Sequence, residues 1–180
     1  RSSVPLGGAR LAQRFIRHDP PTSEELAALT REIELRWRPI AAAIRHHRWH
    51  HAVGSSATIG QLMLAAHLRI YRRPPKTKHH LVMSQHSLRA LVDWLIRSTA
   101  SERMQLDGLD PRREDLVLPT ALVLLGWMQA CDVSRLSYAP GSLREGLVVD
   151  YLIRHHQRPR RIEAPLADFL AVNGLREVAR

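Results

Sequence analysis

No charged side chain interrupts the chain between Leu116 and Met128. That run falls short of the roughly 20 apolar residues a membrane span needs, so it reads as a helix buried within a folded protein. Asp110-Pro111 stands ahead of it as a cap and a first-turn proline, which predicts an apolar helix over residues 112–130. A chain of 180 residues holds one domain around such a helix, or one large domain and a short extension. Hydrophobic residues make up 44% and charged residues 24%, the balance of a globular protein with a buried core.

The remaining segments divide by their period. Residues 2–6 are short and apolar enough for a strand, and Gly7-Gly8 leads into a helix with Leu11, Phe15 and Ile16 on one face. His18-Asp19-Pro20-Pro21 ends it, because proline cannot continue a helix. Thr22 and Glu25 then form a capping box. Leu26, Leu29, Ile33, Trp37, Ile40 and Ile44 follow at spacings of three and four, a long amphipathic helix that Pro39 is expected to kink or split. Trp49 to Val53 is a strand candidate closed by Gly54-Ser55-Ser56, and Ile59, Leu62, Met63, Ala66 and Ile70 return to helical spacing. Arg72-Arg73-Pro74-Pro75-Lys76 reads as an exposed basic turn. Ser84 caps a helix with Leu88, Leu91, Val92 and Leu95 on its buried face. Arg135 to Tyr138 reads as a strand, and Gly141 opens a last helix from Leu143 to about His155. Strands alternating with helices predict an α/β protein rich in helix.

The formal charge is +10, and only Lys76 and Lys78 among the basic residues are lysines. Arginine binds phosphate bidentately and suits a polyanionic ligand; a GC-rich genome writes the same excess without one. Cys131 is the only cysteine and reads as a buried small hydrophobe, so a reducing compartment is the simplest assumption. With no secretory signal and no membrane span in view, we expect a cytoplasmic protein.

Two strand-to-helix junctions carry the chemistry. At Gly54-Ser55-Ser56-Ala57-Thr58 a strand turns through small residues into a helix, which aims free N–H groups and the positive helix end at one point. Ser55, Ser56 and Thr58 add hydroxyls; a merely tight turn uses the same residues. The second junction, Pro140 to Gly146, places Arg144 in a first helical turn, where the dipole disfavours it. Arg144 is there for a ligand, for a buried carboxylate, or as half of a surface ion pair. His46, His47, His50 and His51 include pairs four apart, but the run crosses from a helix end into a strand and cannot share one face. His79-His80 and His155-His156 read as solvated ends.

The order of these pieces resembles one family. Ser3-Val4-Pro5-Leu6-Gly7-Gly8-Ala9-Arg10-Leu11 is similar to the S-L-P-L-G-A-V-R-L segment of the Ppx/GppA phosphatases, followed there as here by a short helix, D-P-P-T and a long helix. Ala52 to Ile59 resembles A-x-G-T-S-G-T-I, and Leu106 to Arg113 resembles L-P-G-L-x-x-x-R. Leu118-Pro119-Thr120-Ala121-Leu122 fits the next helix, and Leu143-Arg144-Glu145-Gly146 fits L-R-E-G. The resemblance covers residues 2 to 155. It implies an actin-like ATPase fold of two α/β lobes with ribonuclease H-like topology, whose active site lies in the cleft between them.

These segments are those of the second lobe, which the resemblance places at residues 1–156, with 157–180 a linker and the start of a C-terminal helical region. The first residue is not methionine and the last ones look like the opening turn of a helix, so we expect a piece of a longer protein, truncated at its N-terminal strands. The family's first lobe, its D-x-G-S-N-S loop, its catalytic glutamate and its D-I-G-G-G-S-T loop would precede Arg1. The resemblance therefore assigns phosphate contact to Gly54, Ser55, Ser56, Thr58 and Arg144, and gives this chain no catalytic residue and no metal ligand. It implies hydrolysis of terminal phosphoanhydride bonds of polyphosphate or guanosine pentaphosphate, with Mg²⁺ in the full-length enzyme. The expected partners are that polyanion and the missing lobe; a homodimer is left open, and neither a membrane nor nucleic acid is expected. Ala57 stands where the family has its second glycine, and Pro140 where many members carry aspartate. The other readings are a non-catalytic polyanion-binding module and a regulatory relative. If the resemblance holds, the purified 180-residue chain releases no phosphate from polyphosphate with Mg²⁺. A colorimetric phosphate assay checks this, and measurable release would overturn it.

Overall fold

Helices and three short strands alternate along the chain in the computed structural model, which describes residues 3–45, 47, 49–76 and 81–155. The elements are α1 (Gly8–Phe15), α2 (Ser23–Arg45), β1 (Val53–Ser55), α3 (Ala57–Tyr71), β2 (Val82–Ser84), α4 (Gln85–Leu95), α5 (Ala100–Met104), α6 (Glu114–Ala130), β3 (Arg135–Ala139) and α7 (Leu143–His155). A 3₁₀ turn, Pro111–Arg113, leads directly into α6. What was expected of Arg1, Ser2, His46, Lys78, His79, His80, His156 and residues 157–180 lies outside the described residues.

The apolar run is α6, and it is the centre of the molecule. Val117, Leu118, Pro119, Ala121, Leu122, Leu124, Leu125 and Met128 are buried along it, and α1, α2, α3, α4 and α5 all pack against it. Each fully buried leucine or methionine contributes about 1.5–3 kcal/mol through loss of apolar surface from water. Pro119 sits in the second turn of this helix and leaves the carbonyl of exposed Asp115 without its i+4 donor. From α2, Leu29 and Ile33 are buried and Trp37 donates its indole N–H to the Val123 carbonyl at 3.1 Å.

The capping box at α2 forms as expected. Glu25 accepts from the Thr22 N–H at 3.0 Å and Thr22 Oγ1 accepts from the Glu25 N–H at 3.2 Å. Donation from the Thr22 backbone, with help from His18 and the Arg17 N–H, holds the Glu25 carboxyl down at about 2. Pro39 does not split the helix: α2 runs unbroken through it. Pro39 faces water, so the carbonyl it leaves without a donor is solvated. The exposed Arg72–Lys76 turn follows α3, with Arg72 in the left-handed region as its C-cap.

The sheet has the order β1-β3-β2. β1 runs parallel to β3, with Gly54 opposite Tyr138, and β2 runs antiparallel to β3, with Met83 opposite Leu136. The first strand starts later than its composition suggested, so Gly54 and Ser55 lie inside it and residues 49–52 are irregular. Among the described residues the expected strand over 2–6 is absent. The Leu6 N–H turns back to the Val4 carbonyl at 2.8 Å while the Leu6 side chain buries, so the apolar pattern there reflects packing and not pairing. Neither β2 nor α5 was expected. Both are too short for a period to show, and α5 is set by its capping box, with Thr99 and Glu102 bonding each other's backbone.

One buried ion-pair cluster ties the outer elements to the core. Arg103, its side chain 8% exposed, donates to the Ser98 carbonyl at 2.6 Å, to Asp19 at 2.7 Å and to Glu114 at 3.2 Å. Partial burial pulls the Asp19 pKa up, but the Ala100 N–H and Arg103 outweigh it and hold that carboxyl below its usual range. At the other end α7 buries only Val149 and leaves Leu143, Leu147 and Val148 exposed. No helix among the described residues is long and apolar enough to cross a membrane. Met128 is fully buried at the heart of this arrangement. Met128→Ala is expected to cost about 2–5 kcal/mol, read as a lower urea midpoint with an unchanged slope.

Candidate functional site

Because β1 and β3 are parallel, their carboxyl ends coincide, with Ser55 beside Ala139. Each strand then turns into a helix, α3 from the first and α7 from the second. In open α/β sheets ligands bind outside such carboxyl ends.

The first turn is strained and donor-rich. Ser56 has φ 126° and ψ 155°, a region that is almost exclusively glycine's and costs other residues on the order of 1–3 kcal/mol. Its hydroxyl accepts from the Ile59 N–H at 3.3 Å and its carbonyl from the Gly60 N–H at 3.1 Å. Among the described residues no acceptor takes the Ala57 or Thr58 N–H, so two donors and the positive end of α3 face outward together. Gly54 lies beneath. A Cβ there would come within 3.0 Å of Ile59 and 3.1 Å of Leu136, so glycine lets helix and strand close over one another.

The second turn is built differently. Gly141 has φ 117°, the geometry expected of that glycine. Ser142 and Glu145 then cap α7. Glu145 accepts from the Ser142 N–H at 2.8 Å and from its hydroxyl, and Ser142 Oγ accepts from the Arg144 N–H at 3.3 Å. The hydroxyl and then backbone donors hold the Glu145 carboxyl below its usual range. A carboxylate of the protein thus already occupies the position an anion would take at α7, whereas the end of α3 stays open.

That open end faces a groove of ≈ 320 Å³. Ser56, Thr58 and Gln61 line it from α3, Asp110 and Arg113 from the 3₁₀ turn, and Thr120 from α6, over a floor that includes Leu109 and Val117. Among the described residues no carboxylate lies within ion-pair distance of Arg113, while Asp110 is held by Arg112. Of the residues assigned from sequence, Ser56 and Thr58 line the groove. Gly54 sits under it, Ser55 is exposed on the strand and Arg144 is exposed on α7, and these three are not among its walls. Gln61, Asp110, Arg113 and Thr120 were not singled out. For Arg113 the signal was present, since it is the arginine of the segment resembling L-P-G-L-x-x-x-R.

Two larger hollows lie elsewhere. One of ≈ 650 Å³ runs between α2 and α6 past Leu35, Ala42 and Gly126, with no helix end directed into it. The other, ≈ 410 Å³, surrounds Arg103, whose terminal nitrogens already serve Asp19, Glu114 and Ser98. The smaller groove combines an arginine that has no ion pair among the described residues with the open start of α3.

The chain matches the model of the Ppx/GppA phosphatase family over residues 1–155. It is 28% identical over 148 residues to exopolyphosphatase 1 of Mycobacterium leprae, covering 82% of this chain and 43% of that protein. A crystal structure of the Aquifex aeolicus Ppx/GppA family member aligns with a TM-score of 0.73 at 22% identity, covering 86% of this chain and 49% of the other. An exopolyphosphatase from Cytophaga hutchinsonii aligns with a TM-score of 0.72 at 22% identity, over 84% and 49%. The chain thus spans less than half the length of the mycobacterial relative and about half of each structure. These likenesses establish an actin-like α/β fold, here helix-rich with a small mixed sheet.

The strain at Ser56 has a measurable consequence. Ser56→Ala keeps the strained backbone and loses the cap, at a cost of about 1 kcal/mol. Ser56→Gly relieves the strain and is expected to be the more stable of the two variants by about 1–3 kcal/mol in parallel urea titrations.

Proposed function

Since the chain belongs to the Ppx/GppA phosphatase family, we propose that it forms one wall of a cleft that holds polyphosphate or guanosine pentaphosphate while a terminal phosphoanhydride bond is hydrolysed. The observation that carries this reading is the groove at the start of α3, which Arg113, Ser56 and Thr58 line together and where the Thr58 N–H has no acceptor among the described residues. Phosphate oxygens suit that set, because a planar guanidinium and a helix end both complement spread negative charge.

In this reading Arg113, Thr58 and the first backbone N–H groups of α3 contact phosphate. Ser56 shapes the turn, and Gly54 and Ser55 support it from below. Arg144, on the neighbouring turn, supplies a second positive charge along the same sheet edge. Ala57 leaves less room than a glycine would for backbone to approach a ligand. In this reading the groove contributes binding and orientation, not water activation: its one lining carboxylate, Asp110, has both oxygens on Arg112. With that carboxylate engaged, a divalent ion in the full-length enzyme would in this reading be held by residues outside the groove. The pairing also favours the second reading, in which the chain binds a polyanion without turning it over.

The reading predicts a ranking of arginines. Arg113→Ala is expected to weaken tripolyphosphate binding about tenfold, the loss of a charge-assisted hydrogen bond. Arg144→Ala costs less than that but clearly more than Arg72→Ala, which removes equal charge from the exposed turn. Isothermal calorimetry at low salt measures all three. Equal losses would mean a diffuse basic surface and would end the site assignment.

A further inference from the structure

The groove contains a negative charge that opposes an anion. Asp110 lines it beside Arg113, its side chain 20% exposed. Arg112 covers that charge: its Nε donates to Asp110 Oδ1 at 3.0 Å and its Nη2 to Oδ2 at 3.0 Å. Arg112 is not a wall of the groove, and its side chain is 88% exposed. We propose that Arg112 is a positioning residue that cancels the charge of Asp110, so that the groove presents Arg113 to phosphate without a competing carboxylate. The inference rests on the phosphate-binding reading of the same groove.

Three observations support it. First, the pair is bidentate, so both oxygens of the carboxylate are engaged by Arg112. Without Arg112, the uncompensated charge of Asp110 would act on Arg113, whose positive charge it already feels. Second, the charged forms favour each other. Hydrogen bonding to the Arg112 side chain and then to its N–H holds the Asp110 carboxyl below its usual range, and Asp110 raises Arg112. Third, the structural role of Asp110 is separable from its charge. Its Oδ1 caps the 3₁₀ turn by accepting the Arg112 N–H at 3.1 Å, a bond to the backbone that an alanine at 112 keeps and that an asparagine at 110 can also accept.

That separation makes a double-mutant cycle decisive. On the full chain, with tripolyphosphate as the probe at low salt, Arg112→Ala is expected to weaken binding about three- to tenfold, the scale of one uncompensated charge a few ångströms from a multivalent anion in water. Asp110→Asn, which frees Arg112 as a cation, tightens binding by a similar factor. The double variant carries neither charge and returns to within about twofold of the parent. The loss in Arg112→Ala shrinks as salt approaches about 1 M, where screening acts within about 3 Å. An unchanged affinity in Arg112→Ala overturns the proposal. So does a double variant as weak as Arg112→Ala, which would mean that Arg112 only shapes the turn. Weaker binding by Asp110→Asn also overturns it, because Asp110 would then itself contact the ligand. Arg113→Ala separates the two levels: if the parent does not bind, or binds with no dependence on Arg113, the groove reading fails and this one with it. Binding that depends on Arg113 but is indifferent to Arg112 refutes this inference alone.

Discussion

Everything else in the structure is arranged around the need to bury α6. A helix with apolar side chains on every face cannot be satisfied by one neighbour, and α1 to α5 enclose it from several directions. Helix α2 supplies the longest contact, through Leu29, Ile33 and the Trp37 indole bonded to the Val123 carbonyl. Arg103 then fastens the α1–α2 connection and α5 to the start of α6, through Asp19 and Glu114.

That burial also positions the groove. Arg113 and Asp110 belong to the 3₁₀ turn that leads into α6, so wherever α6 is held, they are held. Ser56 and Thr58 reach the same place by another route, the parallel pairing of β1 with β3 and the sharp turn into α3. Helix packing brings together two segments more than fifty residues apart, and the candidate site is the seam between them. The two strand-to-helix turns at this edge have different fates. The Glu145 carboxylate occupies the end of α7, whereas at α3 the Ser56 hydroxyl takes only the Ile59 N–H and no carboxylate among the described residues takes the Ala57 or Thr58 N–H. An anion site needs an unfilled helix end, so only one of two similar turns is suited to that role.

The charge pattern follows the same logic at shorter range. Consecutive arginines at 112 and 113 face different tasks, one turned onto Asp110 and one left to line the groove. A net charge of +10 says nothing about this division. Local geometry decides which cation is available to a ligand.

Much was legible in the sequence wherever the cause is local. Capping by Thr22 and Glu25, the buried face of α4, the left-handed Gly141 and the helical character of Leu116–Met128 each depend on residues within a few positions of one another, whereas α1 ends at Phe15, before the prolines expected to stop it. The order of the resembling segments determined the family and the fold, because a string of short motifs survives where overall identity is low. The three-residue strand β2 left no trace, since it exists only because β3 lies beside it. The apolar residues 2–6 looked like a strand because burial and pairing share a pattern, and only the packing distinguishes them. The walls of the groove were equally beyond reach. Whether Arg113 or Arg144 faces Ser56 depends on how α6 and α7 sit against α3, a matter of contacts between distant parts of the chain that no local spacing records.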